Sequence, residues 1–279
     1  MIIELAGITF ADSGRGWVFA DLVDWYTVPD SKAEDESIPQ GHGSFDPGVD
    51  WRSSAAISFT AAYIGNSAAE VLEAVEEFNS AGTSEDIQVM RVTDVLRATS
   101  RQVSIRRIGV PDFYNYDSFE AQFAVDVLAW DPLRYGDPVV TTTGLPSLSG
   151  GLAFPIVFPI DFASAGDPGR LVLTNAGKQP SRPQFTVTGG LAGGFSLVCI
   201  ETGQEIRFEF PLSVSDVVTV DARSGQAWIN DESNVLSGYL TKSEWFPVPA
   251  GGVRTVQFNA IGAVTGTPTL TGIVSPAWL

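Results

Sequence analysis

The amino-acid sequence predicts a mainly β protein of two domains, and three observations support this fold class. Apolar residues make up 44% of the 279 residues and charged residues only 18%, which is typical of chains that bury a core. The 28 glycines and 17 prolines separate many short alternating segments, a pattern that favours strands. A stretch rich in proline and aspartate at residues 130–138 ends the longest alternating segment, so we predict domains at residues 1–136 and 137–279.

The first domain is predicted to be a β-rich domain of six strands with one helix. Its clearest strand ends at Ala129, because Phe119 and every second residue after it are apolar while polar residues such as Glu120 alternate with them. The other predicted strands are residues 2–10, 17–26, 51–63, 86–92 and 102–108. Residues 27–50 form a long polar loop with an acidic cluster, and loops of this length are usually functional or mobile.

The one helix is predicted for residues 67–81. Ser67 and Glu70 have the spacing of a capping box, and Gly82 stands where a helix C-cap belongs. The apolar stripe at helical spacing consists of Val71, Leu72, Val75 and Phe78. The opposite face carries three glutamates, Glu73, Glu76 and Glu77, and is therefore expected to face solvent or a partner.

The second domain is predicted to be an antiparallel β-sandwich without helices. It begins with a linker, because the residues up to 151 are mainly Thr, Gly, Ser and Pro and carry no core pattern. Short strands are predicted at residues 171–174, 185–188, 195–200, 206–210, 217–221, 226–229, 245–248 and 253–259. Turns separate them, including GGLAGG at residues 189–194, and this spacing is typical of a sandwich.

The sequence predicts no catalytic, cofactor or metal site. His42, the single histidine, lies between two glycines in the polar loop, whereas hydrolytic triads need an oriented base and zinc sites several ligands. The glycines at 189–194 lead into a strand, so no helix N-terminus follows to bind a dinucleotide phosphate. Cys199 alternates with Phe195 and Leu197 and is predicted to be a buried, small apolar residue.

The net charge of the chain and its distribution along the sequence exclude some classes of binding partner. The net charge of −17 argues against duplex DNA or an anionic membrane held by basic residues. The most apolar window, residues 151–160, is short and twice interrupted by proline, so no membrane partner is expected. Residues 1–136 contain 22 acidic and 9 basic side chains, against 11 and 7 in residues 137–279. Any partner or channel that uses charge is therefore expected in the first domain.

The order of several motifs resembles the distal tail (Dit-like) proteins of long non-contractile phage tails. The first domain closes on AWDPLRYG after its acidic helix. The second domain then contains RLVLTNAGKQPSRPQFTVTG, a hairpin around ETGQE, DVVTVDARSGQAWIN and EWFPVPAGGVRTVQF. The resemblance extends over nearly the whole chain, and its specificity lies in the order of the motifs.

This resemblance implies a structural virion protein of the phage tail tip. It implies an N-terminal belt domain that assembles into a six-fold ring, a homohexamer, and a C-terminal galectin-like sandwich outside it. Such proteins join the tail tube protein to the host-adhesion or tail-fibre proteins, with the tape measure protein as a further expected neighbour. DNA passes through the channel without specific binding, and the resemblance implies neither enzyme activity nor a cofactor.

Two other functional classes remain open from the sequence. A carbohydrate-binding β-sandwich module would need exposed tryptophans or tyrosines beside polar side chains on one sheet face. A cell-wall hydrolase would need a pair of carboxylates whose separation is spatial and not visible in the sequence.

A ring of acidic domains needs opposite charges, or apolar contacts, at its seams. The clustered cations are Arg97, Arg101, Arg106 and Arg107, and the clustered anions are Glu73, Glu76 and Glu77. We expect arginines of one protomer to meet acidic groups of the next, with surplus negative charge towards the channel. The alternative is that these are solvated surface charges, with strands and apolar contacts holding the ring. Arg106 and Arg107 are predicted to point to opposite faces of one strand.

Overall fold

The chain divides into two compact units in the structure, a computed structural model. Unit 1 comprises Met1–Gly136 with Leu279, and unit 2 comprises Asp137–Trp278. The structure describes residues 1–11, 14–46, 48–81, 87–95, 99–114, 119–147 and 167–279, and only the backbone of residues 81 and 109–114. Strands predominate in this part of the chain and one α-helix occurs, so the predicted mainly β class is confirmed.

Unit 1 is one antiparallel sheet with a covering helix. Its elements are β1 (Ile2–Leu5), β2 (Ile8–Phe10), β3 (Gly16–Val23), β4 (Ala55–Ile64), α1 (Ala68–Ala81), β5 (Gln88–Asp94), β6 (Thr99–Tyr114), β7 (Glu120–Ala129) and β8 (Arg134–Tyr135). The main path is β2-β1-β5-β6-β7-β4-β3, and the long β6 pairs first with β5 and then with β7. Ala11, directly after β2, bridges to Val18 of β3, so the two ends of the path meet. The sheet thereby curls around its core.

The core of unit 1 is built from the alternating side chains of these strands. In β7, Ala121, Phe123 and the apolar residues that follow at every second position are buried, as predicted. Phe119 is an exception: the strand begins only at Glu120, and Phe119 is exposed. The ring centres of Phe78 in α1 and Phe123 in β7 are 4.7 Å apart, and this contact joins the helix to the sheet.

The predicted helix exists, but one residue of its buried apolar stripe differs from the prediction. Val71 and Phe78 are buried as predicted, whereas Leu72 is half exposed and Ala74 takes the buried place. Ala74 lies three residues after Val71 and four before Phe78, so it falls on the same helix face. The predicted C-cap, Gly82, lies outside the described residues.

Unit 2 is a sandwich of two five-stranded antiparallel sheets. The ten strands of these sheets are β9 (Val139–Gly144), β10 (Arg170–Thr174), β11 (Gln184–Leu191), β12 (Phe195–Cys199), β13 (Glu205–Phe208), β14 (Val217–Asp221), β15 (Gln226–Ile229), β16 (Leu240–Ser243), β17 (Val253–Ala260) and β18 (Val264–Val274). A short 3₁₀ helix at Ser237–Tyr239 and the two-residue strand β19 (Ala277–Trp278) lie outside the two sheets. One sheet has the order β10-β17-β12-β13-β16, the other β15-β14-β11-β18-β9. A single apolar core with contributions from both sheets fills the sandwich.

Three sequence predictions for unit 2 are wrong in detail. Residues 139–144, interpreted as linker, form β9 and pair with β18, itself a strand that the sequence analysis did not find. Residues 245–248 are not a strand, although Phe246 and Val248 are buried. The glycine-rich run 189–194 is only partly a turn, because β11 continues to Leu191 past a bulge at Gly189.

Candidate assembly surfaces

The acidic helix face lies where the sequence predicts it. Glu73, Glu76 and Glu77 are exposed on α1. The start of α1 is fixed by Ser67, whose Oγ accepts a hydrogen bond from the Glu70 N–H at 3.3 Å. Glu70 reaches back to the Asn66 N–H at 2.8 Å, and this bond, the largest cause, lowers the pKa of Glu70. The capping box is thus present, with the glutamate bound one residue earlier than the usual pattern.

Arg107 is engaged inside unit 1. Its guanidinium donates to the carbonyl oxygens of Phe78 and Asn79 at 3.2 and 3.3 Å, near the end of α1, and lies 5.0 Å from the Phe78 ring centre. Burial lowers the pKa of Arg107. A cation at a helix C-terminus satisfies carbonyls that the helix leaves unpaired. Arg107 therefore joins α1 to β6. Because its guanidinium already donates to two carbonyl oxygens, fewer of its N–H groups are available to bind a neighbouring protomer.

Of the two other predicted interface arginines, the structure describes Arg101. Arg101 is half-buried and lines a water-sized cavity of about 10 Å³ with Trp25 and Asp94. Arg97 lies outside the described residues. The side chain of Arg101 is thus only partly accessible to a neighbouring protomer.

Arg106 points to the opposite face of β6 from Arg107, as predicted, and is exposed. Its guanidinium lies 5.9 Å from the ring centre of Trp130, and it forms no ion pair with any described residue. Trp130 follows β7 and is 62% exposed. Tryptophan and arginine are both enriched among the residues that contribute most to binding at protein interfaces.

Exposed apolar side chains surround this pair on the same face of the sheet. We call the group formed by Ile87, Val89, Arg106, Ile108 and Trp130 the outer patch. Its three aliphatic members are each close to half exposed or more. The neighbouring strand positions bring them together: Val89 pairs with Ser104, two residues before Arg106, and Ile108 is two residues after it. The patch therefore runs across β5, β6 and the end of β7.

A second exposed apolar surface lies on the described part of the segment between β3 and β4, residues 24–46 and 48–54, which we call the arm. It is a ribbon held by backbone hydrogen bonds, among them Lys32 N–H to the Trp51 carbonyl at 2.7 Å and Phe45 N–H to the Glu36 carbonyl at 2.8 Å. Its exposed apolar side chains are Tyr26, Val28, Phe45, Val49 and Trp51. The arm also contains seven acidic and two basic residues. The long polar loop predicted from the sequence thus has an ordered base and carries both apolar and acidic groups.

Arg134 anchors the base of the arm, and the sequence analysis did not identify it. It is 1% exposed, and its Nη2 donates to the carbonyls of Asp24 and Thr27 at 3.3 and 3.4 Å. Its guanidinium lies 5.1 Å from the ring centre of Trp25. Burial, and then the charge of Arg101, lower the pKa of Arg134. Because these partners are more than a hundred residues away along the chain, no local pattern could have indicated this contact.

In unit 2, Asn175 is the most extensively hydrogen-bonded buried side chain of the described residues. Its amide nitrogen lies within hydrogen-bond distance of the carbonyls of Gln179, Val248 and Pro249, at 2.8 to 3.2 Å, and its oxygen accepts from the Gly177 N–H. A Cβ on Gly177 would lie 2.2 Å from the Ala277 carbonyl oxygen, so only glycine fits there. The Asn-x-Gly element noted in the sequence therefore holds three segments of the sandwich together.

The structure places His42 in unit 1 and Cys199 in unit 2. His42 is exposed at the tip of the arm. Cys199 is fully buried, as predicted, and its Sγ lies 3.4 Å from a carboxylate oxygen of Glu201. In the described ranges, no three His, Cys, Asp or Glu side chains are grouped so that they could hold a metal ion. Over these same ranges, no helix has both the length and the apolar character needed to cross a bilayer.

Comparisons with known proteins agree with the fold. Residues 176–267, within unit 2, match the SPP1 Dit family model, described as a siphovirus-type tail component, C-terminal domain. The crystal structure of SPP1 Dit, described as a paradigm of hub adsorption apparatus in phages infecting Gram-positive hosts, superposes with a TM-score of 0.63 at 12% identity, covering 100% of this chain and 99% of that chain. A chain of the phage p2 baseplate in its activated conformation with Sr gives 0.52 at 12% identity, covering 97% and 96%.

No curated protein matches the chain in sequence. At these identities the solved structures establish the fold, and the match to the tail-component family model lies within unit 2. The resemblance to Dit-like distal tail proteins is therefore confirmed.

Proposed function

We propose that this chain, a Dit-like siphovirus tail component, forms a ring-shaped hub at the virion tail tip that joins the tail tube to the host-adhesion or tail-fibre machinery. The observation that carries the proposal is the family match of residues 176–267 to a siphovirus-type tail component. The two-unit fold shared with SPP1 Dit over the full chain length supports it.

In this proposal unit 1 makes the ring and unit 2 is the outer domain. Unit 1 carries 22 acidic and 9 basic residues, so six copies surround a channel of net negative charge. Such a channel lets DNA pass without binding, because few cations are available to displace its counterions. Arg101 and Arg106, with Glu73, Glu76 and Glu77, are the seam candidates, and Arg106 is the most accessible of the described arginines among them.

The proposal assigns a structural and not a catalytic role. A sugar-binding role for unit 2 would need exposed aromatic side chains beside polar groups on one sheet face. Among its described residues the exposed aromatic side chain is Tyr239, and its ring packs 4.7 Å from that of Phe210. No observation therefore favours the carbohydrate-binding alternative.

The mass of the full chain in solution tests the ring. We expect a species of six times the 29.8 kDa chain mass by analytical ultracentrifugation, and rings with an open centre in negative-stain images. A chain that stays monomeric at every concentration, or forms only an unclosed dimer, would overturn the hub.

A further inference from the structure

We propose that the arm of one protomer covers the outer patch of the next, so that Arg106 and Trp130 are the anchor of the ring seam. This inference rests on the proposed ring and specifies its contact. The starting observation is that unit 1 exposes two separate apolar surfaces, the outer patch on the sheet and the arm between β3 and β4. Exposed apolar groups that are this closely spaced mark interaction sites.

The two surfaces are complementary in charge. The outer patch contains one cation, Arg106, which forms no ion pair with a described residue. Asp126, one of the acidic residues beside the patch, already accepts a hydrogen bond from Ser58 at 2.5 Å. The arm has an excess of five acidic residues, including the consecutive Glu34, Asp35 and Glu36. An acidic arm placed over Arg106 would give this guanidinium a carboxylate partner, which no described residue of its own chain supplies.

The two surfaces are also complementary in the kind of apolar side chain. The arm exposes three aromatic rings and two valines, with Trp51 66% exposed, and the patch offers aliphatic side chains around Trp130. Aromatic residues and arginine at the centre of an interface, with polar groups at its rim, are the usual composition of energetically important contacts.

The arm is ordered before it meets a partner. Arg134 binds two carbonyls at its base, and the Tyr26 hydroxyl donates to Asp94 at 3.0 Å. The Asp50–Arg52 ion pair and backbone bonds from Lys32 and Ser53 stiffen the next turn of the ribbon. A preorganised arm loses less conformational entropy on docking, which favours assembly.

The partner that binds the outer patch is a second copy of this chain, which contributes its arm. The arm and the outer patch are different surfaces of one chain, so a contact between them is heterologous, head to tail. Repeated head-to-tail contacts generate a closed ring when the rotation between neighbours closes. A self-complementary patch would instead stop at a two-fold dimer.

Charge reversal tests the pairing in the full chain. Arg106→Glu should weaken assembly at least about tenfold, measured as the concentration at which the ring dissociates. Adding Glu34→Lys, Asp35→Lys and Glu36→Lys should restore assembly, because opposite charges again meet. The matched control adds Glu73→Lys, Glu76→Lys and Glu77→Lys instead, three exposed acids of α1, and should not restore it.

The other outcomes overturn the inference. Restoration by the helix variant and not by the arm variant would identify the helix face as the occupant, and restoration by neither variant would exclude the acidic arm as the partner of Arg106. Unchanged assembly of Arg106→Glu, with the wild type forming rings, would overturn the inference and leave the proposed ring standing. A wild-type chain that never assembles would overturn both.

Crosslinking gives a second readout that does not depend on charge. Two proteins, Val49→Cys on the arm and Val89→Cys on the patch, are mixed and treated with a short thiol crosslinker. We expect a product joining two chains, while the buried Cys199 contributes none. Val214→Cys, an exposed position of unit 2, replaces Val49→Cys in the control and should give no product. Absence of the arm–patch product in an assembled sample would contradict the inference.

Discussion

The two units differ in where their aromatic side chains lie. In unit 2, Phe185, Phe195, Phe208, Phe246 and Phe258 are fully buried. In unit 1, the exposed aromatic side chains of the described residues are Tyr26, Phe45, Trp51, Phe119 and Trp130. Burying an aromatic ring is worth several kcal/mol in general, on the order of 2 or more, so their exposure in a monomer is unfavourable. Unit 1 is therefore the unit to which we assign the proposed contacts between protomers.

The units also differ in how they satisfy polar groups. The loops of unit 2 are fixed by carboxylates that accept backbone N–H groups, as Asp167 accepts from Gly144 and Gly169, and by the buried Asn175. In unit 1 the corresponding anchors are two arginines, Arg107 at the end of α1 and Arg134 at the base of the arm. Arginines thus fix the end of α1 and the base of the arm in unit 1, whereas carboxylates and Asn175 fix the loops named here in unit 2.

The largest expected effect follows from removing the polar anchor of unit 2. Asn175→Ala should lower the free energy of unfolding of unit 2 by about 4 kcal/mol, because buried carbonyls lose their donor. Unit 1 should be unaffected, so thermal unfolding should show one shifted and one unshifted transition. Asn234→Ala, at an exposed position, is the control and should shift neither. Equal shifts of both transitions would contradict the separation of the units.

A smaller effect is expected from removing the anchor of unit 1. Arg134→Ala should cost about 3 kcal/mol in unit 1, since it leaves a cavity beside Trp25 and two carbonyls without a donor. Hydrogen exchange should accelerate at the base of the arm before it does in β7. Arg15→Ala, at an exposed position of the same unit, should change neither quantity. Unchanged exchange in the arm would show that Arg134 does not position it.

Acid should destabilise unit 2 more than unit 1, because unit 2 contains more of the described carboxyls whose pKa is lowered, against Glu70 in unit 1. The effect of each carboxyl is the smallest of those predicted. Hydrogen bonds lower the pKa of Asp167, Asp216 and Asp231 in unit 2, chiefly those from Gly169, Ser213 and Ser233 respectively. A carboxyl with a lowered pKa stabilises the fold fully above its unfolded pKa of about 4, and this contribution is lost as the pH falls through the folded pKa. Unfolding followed between neutral pH and about pH 2 should show unit 2 weakening below about pH 4. Asp216→Asn should reduce this pH dependence, and an unchanged slope would refute the assignment.

Regular periodicity explains which parts of this fold the sequence could predict. Apolar residues recur on one face of the strand that ends at Ala129 and on one face of the helix after Ser67. Both predicted elements occur, as β7 and α1. The β9–β18 pair was missed because β18 contains Gly266, Pro268 and Gly272, which weaken strand propensity. A Cβ on Gly272 would lie 2.4 Å from Leu171, so packing across the sandwich requires glycine there.

The candidate surfaces were predictable only in part. The clustered arginines are visible in the sequence, but only the fold separates Arg106, which is exposed, from Arg107, which binds α1. Arg134 and the outer patch depend on contacts between distant segments and leave no local signal. The apolar side chains of the arm lie among acidic residues without a period, and their exposure follows from the fold alone.

The oligomeric state of residues 1–136, compared with that of the full chain, tests most directly whether unit 1 makes the ring. The account predicts that this fragment folds and forms a closed ring with the same number of copies as the full chain, because the arm and the outer patch both lie within it. Analytical ultracentrifugation of both proteins at matched concentrations measures this, with negative-stain images to show closure. A monomeric, folded fragment beside a ring-forming full chain would contradict the assignment of assembly to unit 1.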